Sequence, residues 1–210
     1  MMSLMMATSQ EGYIADNLGN IPWRNTFPGK NEMDFFREST KDCVLVMGSK
    51  TYQSFGDKIP KNKKAILVLT NNSDKLFKPK DRKIFFYSDP QEIYFASQRY
   101  DRPVYCVGGN QTAILLKKYI CRMVLSVLQI SYGEKEGWLK IDPEVKKNFS
   151  IDFVSSFETQ GFSVHYSRKD FPMTETPTYL HYMKGKGLDL RKSGSKYVSI
   201  IVPRRNGSEE

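Results

Sequence analysis

The chain has 210 residues, a formal net charge of +9 and an aromatic content of 13%. That length accommodates one domain with a sizeable core, and the lack of an 18-residue apolar run or a leader pattern argues against a membrane or exported protein and for the cytoplasm. Cys43, Cys106 and Cys121 have no metal-ligand spacing, and His165 and His181 are the only histidines, so no metal centre is expected and the cysteines read as buried free thiols.

In chain order, short apolar runs suited to strands fall at Leu4–Ala7, Cys43–Met47, Ala65–Leu69, Ile84–Tyr87, Val104–Val107, Met123–Ile130, Ile151–Phe157 and Phe162–Tyr166. Helix-like stretches, Asn31–Thr40, Lys50–Phe55, Pro90–Tyr100 and Asn110–Ile120, lie between several of them. Strands alternating with helices imply crossovers, so the fold class is α/β with a mostly parallel central sheet and helices on both faces. The turn-like Glu158-Thr-Gln-Gly161 joins the last two of these strands, which makes them an antiparallel C-terminal pair. Residues 10–29 form a long loop rich in Gly, Asn and Pro that carries Ile14, Ile21 and Trp23, suited either to cover a pocket or to pack as an ordinary surface loop.

Two strand–glycine–helix junctions stand out. Pro103-Val-Tyr-Cys-Val107 runs into Gly108-Gly109 and then Asn110, and Val44-Leu-Val-Met47 runs into Gly48-Ser49-Lys50-Thr51. Glycines there let the backbone approach an anion, which then meets free N–H groups and the positive end of a helix dipole. Two such junctions, one with Lys and Thr, point to a nucleotide cofactor with several phosphates. The net charge also favours an anionic partner. The lysines are scattered and no nucleic-acid motif is present, so a small polyanion or a simply solvated surface accounts for the charge, and no specific nucleic acid is expected.

On the Asn31–Thr40 stretch, Glu32 and Phe36 are four apart and share a face, with Met33 and Phe35 nearby. Two readings follow from the spacing. A buried Glu32 has a raised pKa and relays a proton or holds a cationic ring; an exposed one in the first turn favours the helix dipole.

From Ser3 to about Arg168 the chain resembles dihydrofolate reductases. The resemblance rests on Ser3-Leu4-Met5-Met6-Ala7, Ile21-Pro22-Trp23, Glu32-Met33-Asp34-Phe35-Phe36 with Thr40, Val46-Met47-Gly48-Ser49-Lys50-Thr51-Tyr52, Val107-Gly108-Gly109 and Met123-Val-Leu-Ser126, in order and at family spacing. It implies NADPH-dependent reduction of dihydrofolate. Glu32 falls at the pocket carboxylate that assists protonation, and Ser126 at the hydroxyl that links that carboxylate to the ring. Met5, Ala7, Met33, Phe36 and Phe55 would line the substrate pocket. Ala7, Ile14, Ile21, Gly48, Ser49, Lys50, Thr51, Thr70, Asn71, Val107, Gly108, Gly109, Asn110, Gln111 and Thr112 would hold the cofactor, with Lys50 on the extra ribose phosphate, helped by Asn71 and Gln111.

The chain departs from the family pattern at several positions. Ser49 replaces an arginine that helps bind the ribose phosphate, and Asn62 one that clasps the substrate's glutamate tail, a task left to Lys63 or Lys64. Ala113 replaces a tyrosine, Ala15 a loop glycine, and Trp138 an acidic residue that steadies the closed lid. The family-like unit is expected over residues 1–169, with 170–210 as a basic extension. Residues 183–205 hold seven Lys/Arg and one acidic residue, and Tyr197–Val202 is strand-like, suited to an added edge strand, an interface arm or a flexible tail. A monomer or homodimer is expected. Two other functions fit less well: a riboflavin-pathway-like reductase of a ribosylated pyrimidine, suggested by Thr8-Ser9-Gln10-Glu11-Gly12-Tyr13-Ile14-Ala15-Asp16, and a non-catalytic binding or assembly protein on the same scaffold.

Overall fold

In the computed structural model, residues 1–56, 59–76, 83–157, 161–168 and 197–201 are described. Nine strands form one sheet. The strands are β1 (Met2–Thr8), β3 (Val44–Gly48), β4 (Ala65–Leu69), β5 (Ile84–Tyr87), β6 (Val104–Cys106), β7 (Ile120–Leu128), β9 (Phe149–Phe157), β10 (Gly161–Arg168) and β11 (Tyr197–Ile201), in the order β11-β9-β10-β7-β1-β6-β3-β4-β5. The pairs from β7 to β5 are all parallel, and β10 is antiparallel to both β7 and β9. Two further short strands, β2 (Tyr13–Ala15) and β8 (Leu139–Lys140), pair antiparallel apart from the main sheet.

The parallel strands are apolar on both faces because helices cover both. On one face Phe35 and Phe36 of α1 (Phe27–Ser39) and Tyr52 of α2 (Ser49–Phe55) pack on Met5, Leu45, Met47, Ile66, Val68 and Val124. On the other, Ile93 and Ala96 of α3 (Pro90–Gln98) and Ala113 and Leu116 of α4 (Asn110–Leu116) pack on Leu4, Val44, Val46, Leu67 and Leu125. Val145 of the short α5 (Pro143–Lys146) joins the second layer.

Several boundaries differ from the sequence expectation. α1 starts at Phe27, four residues before Asn31, because Thr26 caps it by accepting from the Gly29 amide at 3.2 Å and Pro28 suits the first turn. Residues 10–29 are therefore a loop that holds β2 and ends in a helix start. α4 stops at Leu116; Lys117–Tyr119 form a single 3-10 turn, and β7 begins at Ile120, before Met123, because the β-branched, apolar Ile120 can pair with Met2. β7 ends at Leu128, short of Ile130, and α3 ends at Gln98, short of Tyr100. β2, β8 and α5, of three, two and four residues, are too short for periodicity to reveal.

β11 pairs antiparallel with β9 and extends the sheet by one strand beyond the antiparallel pair. Most of the Glu158–Gly161 turn, Val202 and the basic stretch around Arg191 and Lys192 lie outside the described residues.

Candidate active site

A cleft of about 1520 Å³ opens where the parallel strands end. Its walls come from Met5, Met6 and Ala7 of β1, the following loop (Ile14, Ala15, Ile21, Trp23), Glu32, Met33 and Phe36 of α1, the β3–α2 junction with Phe55, Leu69 to Asn71 after β4, and the β6–α4 junction. The carboxyl ends of parallel strands are where open α/β sheets place ligands, because the helix N-termini and the connecting loops converge there.

Glu32 is 7% exposed, in the second turn of α1 and on the face of Phe36. The first-turn dipole reading therefore fails: the helix begins too early for it. Burial pushes the Glu32 carboxyl up from its ordinary value to about 7, and the nearby Ser126 hydroxyl opposes part of that push. Ser126 sits on β7 in register with Ala7 of β1, which turns it toward the same face as Glu32. Its Oγ is buried and makes no hydrogen bond of regular geometry among the described residues. With the Glu32 carboxyl as its near neighbour but no close hydrogen bond of its own, this buried hydroxyl favours a polar group that enters beside the two.

The second carboxyl on the wall, Asp34, is exposed and paired with Arg37 at 2.8 Å. Among the described residues Glu32 is thus the carboxyl of this cleft that is both buried and free of a salt bridge.

The two glycine junctions meet on the opposite side. The Gly48 amide donates to the Gly108 carbonyl at 2.9 Å, and the Gly108–Gly109 peptide is cis. A Cβ on Gly48 would collide with Thr112 Oγ1, and Gly108 has φ of +89° against Met6, so both positions require glycine. α1, α3 and α5 carry side-chain N-caps from Thr26, Asp89 and Asp142; α2 and α4, which begin at Gly48 and Gly109, carry none. The starts of α2 and α4 on the cleft wall thus leave their amides for a ligand, as a phosphate-bearing cofactor needs. Lys50 is exposed on the same wall, beside Ser49 and Thr51 and across from Asn110 to Thr112. This donor set fits a dinucleotide.

The structure brings nearly all the sequence-derived residues together. Met5, Ala7, Ile14, Ile21, Glu32, Met33, Phe36, Gly48, Ser49, Lys50, Thr51, Phe55, Thr70, Asn71, Val107, Gly109, Asn110, Gln111 and Thr112 line the cleft, while Gly108 and Ser126 lie just behind its surface. Lys63 and Lys64 do not line it. Lys63 turns to the end of α1, where its ammonium donates to the Thr40 hydroxyl at 2.7 Å and to the Thr40 carbonyl, and its Nζ lies 5.9 Å from the Phe36 ring centre. A cation suits that helix end, which carries partial negative charge. The Lys64 amide donates to the Cys43 carbonyl at 2.8 Å, at the start of the β3–β4 pairing.

Sequence reasoning missed Pro60, Lys61, Ser88 and Leu139 on the wall, and Arg24, whose guanidinium reaches the Ser54 carbonyl at 3.0 Å. Only the Pro60–Asn62 group gave a signal, as a polar turn ahead of the apolar β4. Ala113, read against a family tyrosine, is fully buried in the core and does not face the cleft.

The family model for dihydrofolate reductase matches residues 1–152. The dihydrofolate reductase of Ureaplasma parvum is 25% identical over 166 residues, covering 79% of this chain and 96% of that protein. That of Enterococcus faecium is 36% identical over 107 residues, covering 51% and 59% respectively. A solved dihydrofolate reductase from Enterococcus faecalis, complexed with NADP(H), superposes with a TM-score of 0.63 at 19% identity over 81% of this chain and 97% of that one, a likeness of fold. With its cleft built on Glu32 and two bare glycine helix starts, the chain belongs to the dihydrofolate reductase family.

Proposed function

We propose that this protein reduces 7,8-dihydrofolate to 5,6,7,8-tetrahydrofolate by hydride transfer from NADPH. The observation that carries the reading is Glu32, a buried carboxyl on the cleft wall whose pKa burial raises to about 7. A group that titrates near the working pH can hold a proton and give it up at little cost. The reduced nicotinamide, when held by the two glycine junctions, would supply the hydride to the ring carbon next to a protonated ring nitrogen. Glu32 accepts from the pterin's amino group and ring N–H and assists protonation of that nitrogen, while the Ser126 hydroxyl completes the contact. Met5, Met33, Phe36 and Phe55 pack on the pterin and benzoyl rings, and Ile14, Ile21 and Trp23 shield the reacting face from water.

For the cofactor, Gly48 to Thr51, Thr70 and Asn71, and Gly108 to Thr112 hold the dinucleotide. Lys50, with Asn71 and Gln111, meets the extra ribose phosphate that Ser49 is too short to clasp. For the substrate's glutamate tail, Lys63 is the better of the two lysines. Two of its three N–H donors go to neutral acceptors on Thr40, beside Phe36 of the wall, which leaves a donor for an incoming carboxylate. Residues 1–169 act as the enzymatic unit and 170–210 as an extension. No described helix is long and apolar enough to cross a membrane. We infer a cytoplasmic enzyme that works as a monomer or homodimer.

The test is loss of reduced-nicotinamide absorbance with dihydrofolate, compared with a ribosylated pyrimidine substrate of the riboflavin pathway. Turnover with dihydrofolate alone is expected. Turnover with the pyrimidine alone would overturn the reading in favour of that related reductase, and turnover with neither would overturn it in favour of a binding protein.

A further inference from the structure

One face of β10 is polar where a strand inside the sheet is usually apolar. Ser163, His165 and Ser167 alternate along it, and all three are buried. Tyr166, on the opposite face, packs into the other apolar layer. Buried polar side chains cost stability unless they meet partners. Here they are joined: the Ser163 hydroxyl and His165 Nε2 lie 3.1 Å apart, and the Ser167 hydroxyl donates to the Asp152 carboxylate of β9.

The register carries this polar face to the cleft. Ser163 stands opposite Ser126 of β7, and His165 stands opposite Val124, which packs in the layer of Phe35 and Phe36. Directly opposed residues of an antiparallel pair share a face, with Cβ atoms about 4.5–5.5 Å apart. Two serine hydroxyls can bridge that gap by rotation about χ1. Ser126 Oγ has no close hydrogen bond among the described residues, so its lone pairs are open to a donor from Ser163. Glu32 is its near neighbour in the cleft wall.

We propose that Ser163 and His165 are positioning residues that extend the Glu32–Ser126 pair into a buried file across β7 and β10 and aim the Ser126 hydroxyl proton at the Glu32 carboxylate. A carboxylate only accepts, so the donors run one way: His165 Nε2–H to Ser163 Oγ, the Ser163 hydroxyl to Ser126 Oγ, and the Ser126 hydroxyl to Glu32. Each donor polarises the next. Burial drives the His165 ring down to about 3, so it stays neutral, with one N–H, throughout the range in which Glu32 titrates. The file favours the charged form of Glu32 and offsets part of the push from burial. Of the other charged residues on these elements, Lys30, Asp34, Arg37 and Glu38 of α1 are exposed, and Arg122, Asp152 and Arg168 lie toward the Ser167 end of the strands, away from Ser126. The catalytic consequence rests on the reductase reading; the file itself does not.

The test follows the Glu32 carboxyl in the ligand-free full chain by NMR of isotope-labelled glutamate, its signal identified by its loss in Glu32→Gln. Ser163→Ala removes one hydroxyl and little volume. The Glu32 midpoint should then rise by about 0.3 to 0.5 pH unit, an ionisation roughly two- to threefold weaker. His165→Leu should shift it in the same direction, and His165→Gln, which keeps an N–H donor, should hold the wild-type value. In a Ser126→Ala background Ser163→Ala should add nothing, because the file is already cut. The pH midpoint of kcat/KM with dihydrofolate should move as the NMR midpoint does. A site merely loosened by these changes would admit water and titrate lower, toward 4.5, so a fall in the midpoint overturns the proposal. An unchanged midpoint in Ser163→Ala overturns it too, as does a full shift that persists without Ser126. A shift in Ser163→Ala with none in His165→Leu, or a His165→Gln midpoint displaced as far as that of His165→Leu, removes His165 from the file. If His165→Leu does not fold, Ser163→Ala and the double variant decide. A wild-type protein that does not turn over dihydrofolate defeats the reductase reading, and the NMR midpoints still decide the file.

Discussion

Two glutamates with the same chemistry, Glu32 in the cleft wall and Glu11 outside the cleft near the start of the loop after β1, are driven in opposite directions by their surroundings. Glu32, on α1, is walled by apolar side chains and Ser126, and burial pushes its carboxyl up to about 7. Glu11, at the root of the covering loop, is partly exposed; hydrogen bonds from Ser131 and Ser9 and from backbone amides hold its carboxyl down at about 2. Desolvation without donors keeps a proton within reach of neutral pH, while convergent donors fix a charge that does not titrate under physiological conditions. The first arrangement suits a group that exchanges protons. The second suits one that holds structure.

The largest expected effect breaks this contrast at its functional end. Glu32→Gln preserves size and removes the titration. Turnover at pH 7 should fall about a hundredfold or more. In acid the loss should shrink, because dihydrofolate then arrives already protonated. Steady-state rates from pH 5 to pH 8 check this, and a variant with wild-type turnover at pH 7 removes Glu32 from the mechanism.

The second effect concerns stability and runs the other way. Unfolded, Glu32 returns to an ordinary carboxyl near 4.5; folded, it sits at about 7. The folded state therefore holds a proton that the unfolded state releases between those values, and stability falls as the pH rises from 4.5 to 7. Above pH 7 the full cost is in place, roughly 3 kcal/mol at most. Glu32→Gln should thus melt several degrees above wild type at pH 8, with the gap closing toward pH 4.5. Equal melting temperatures at pH 8 would mean that the Glu32 carboxyl titrates as it does in solvent.

That a buried carboxyl on the cleft wall should destabilise its own fold could be suspected from the sequence but not settled there. The apolar runs and glycine junctions are dense local signals, and the sheet and both helical layers follow from them, while the residues named for the cleft came from the family resemblance and cover about half of its wall. β4 and β5 occupy the runs Ala65–Leu69 and Ile84–Tyr87 without a residue's difference. Glu32 was ambiguous because its meaning depends on where α1 begins, and that is decided by a cap at Thr26 that lies inside a loop-like stretch. Lys63 illustrates another gap: charge and spacing bring it near the cleft, but Thr40 at the helix end competes for its ammonium. The Glu11 contacts left little local trace, since three of the four donors, from Ser131, Tyr132 and Gly133, lie some 120 positions away and meet it only through the fold.

A third effect sharpens the contrast within the cleft. The Ser126 hydroxyl is the group that holds the Glu32 carboxyl below where burial alone would put it. Ser126→Ala removes it, so the midpoint of the kcat/KM profile should move upward, by less than about one pH unit. kcat/KM reports on the free enzyme, in which Glu32 and Ser126 face each other without substrate. A downward shift would mean that the hydroxyl favours the protonated form.

The smallest effect tests the other glutamate, and its sign is the reverse of the first. Glu11 has a folded value of about 2, below its ordinary 4.5, so the folded state releases a proton that the unfolded chain still holds between those values. Its contribution is therefore complete above about pH 4.5 and is lost as the pH falls toward 2. Water screens a partly exposed carboxylate, so the contribution is modest. Glu11→Gln should unfold at a slightly lower urea concentration than wild type at pH 7. The difference should hold down to about pH 4.5, shrink through pH 3 and vanish near pH 2, where wild-type Glu11 is itself half protonated. Glu32→Gln shows its difference at high pH and loses it on acidification through 7; Glu11→Gln shows its difference across neutrality and loses it only in strong acid. Urea midpoints for both variants along one pH series therefore separate the two environments by where each difference disappears. A Glu11→Gln difference that faded between pH 7 and pH 5 would show that the donors of Ser131, Tyr132 and Gly133 do not hold the charge, and the two glutamates would then be alike.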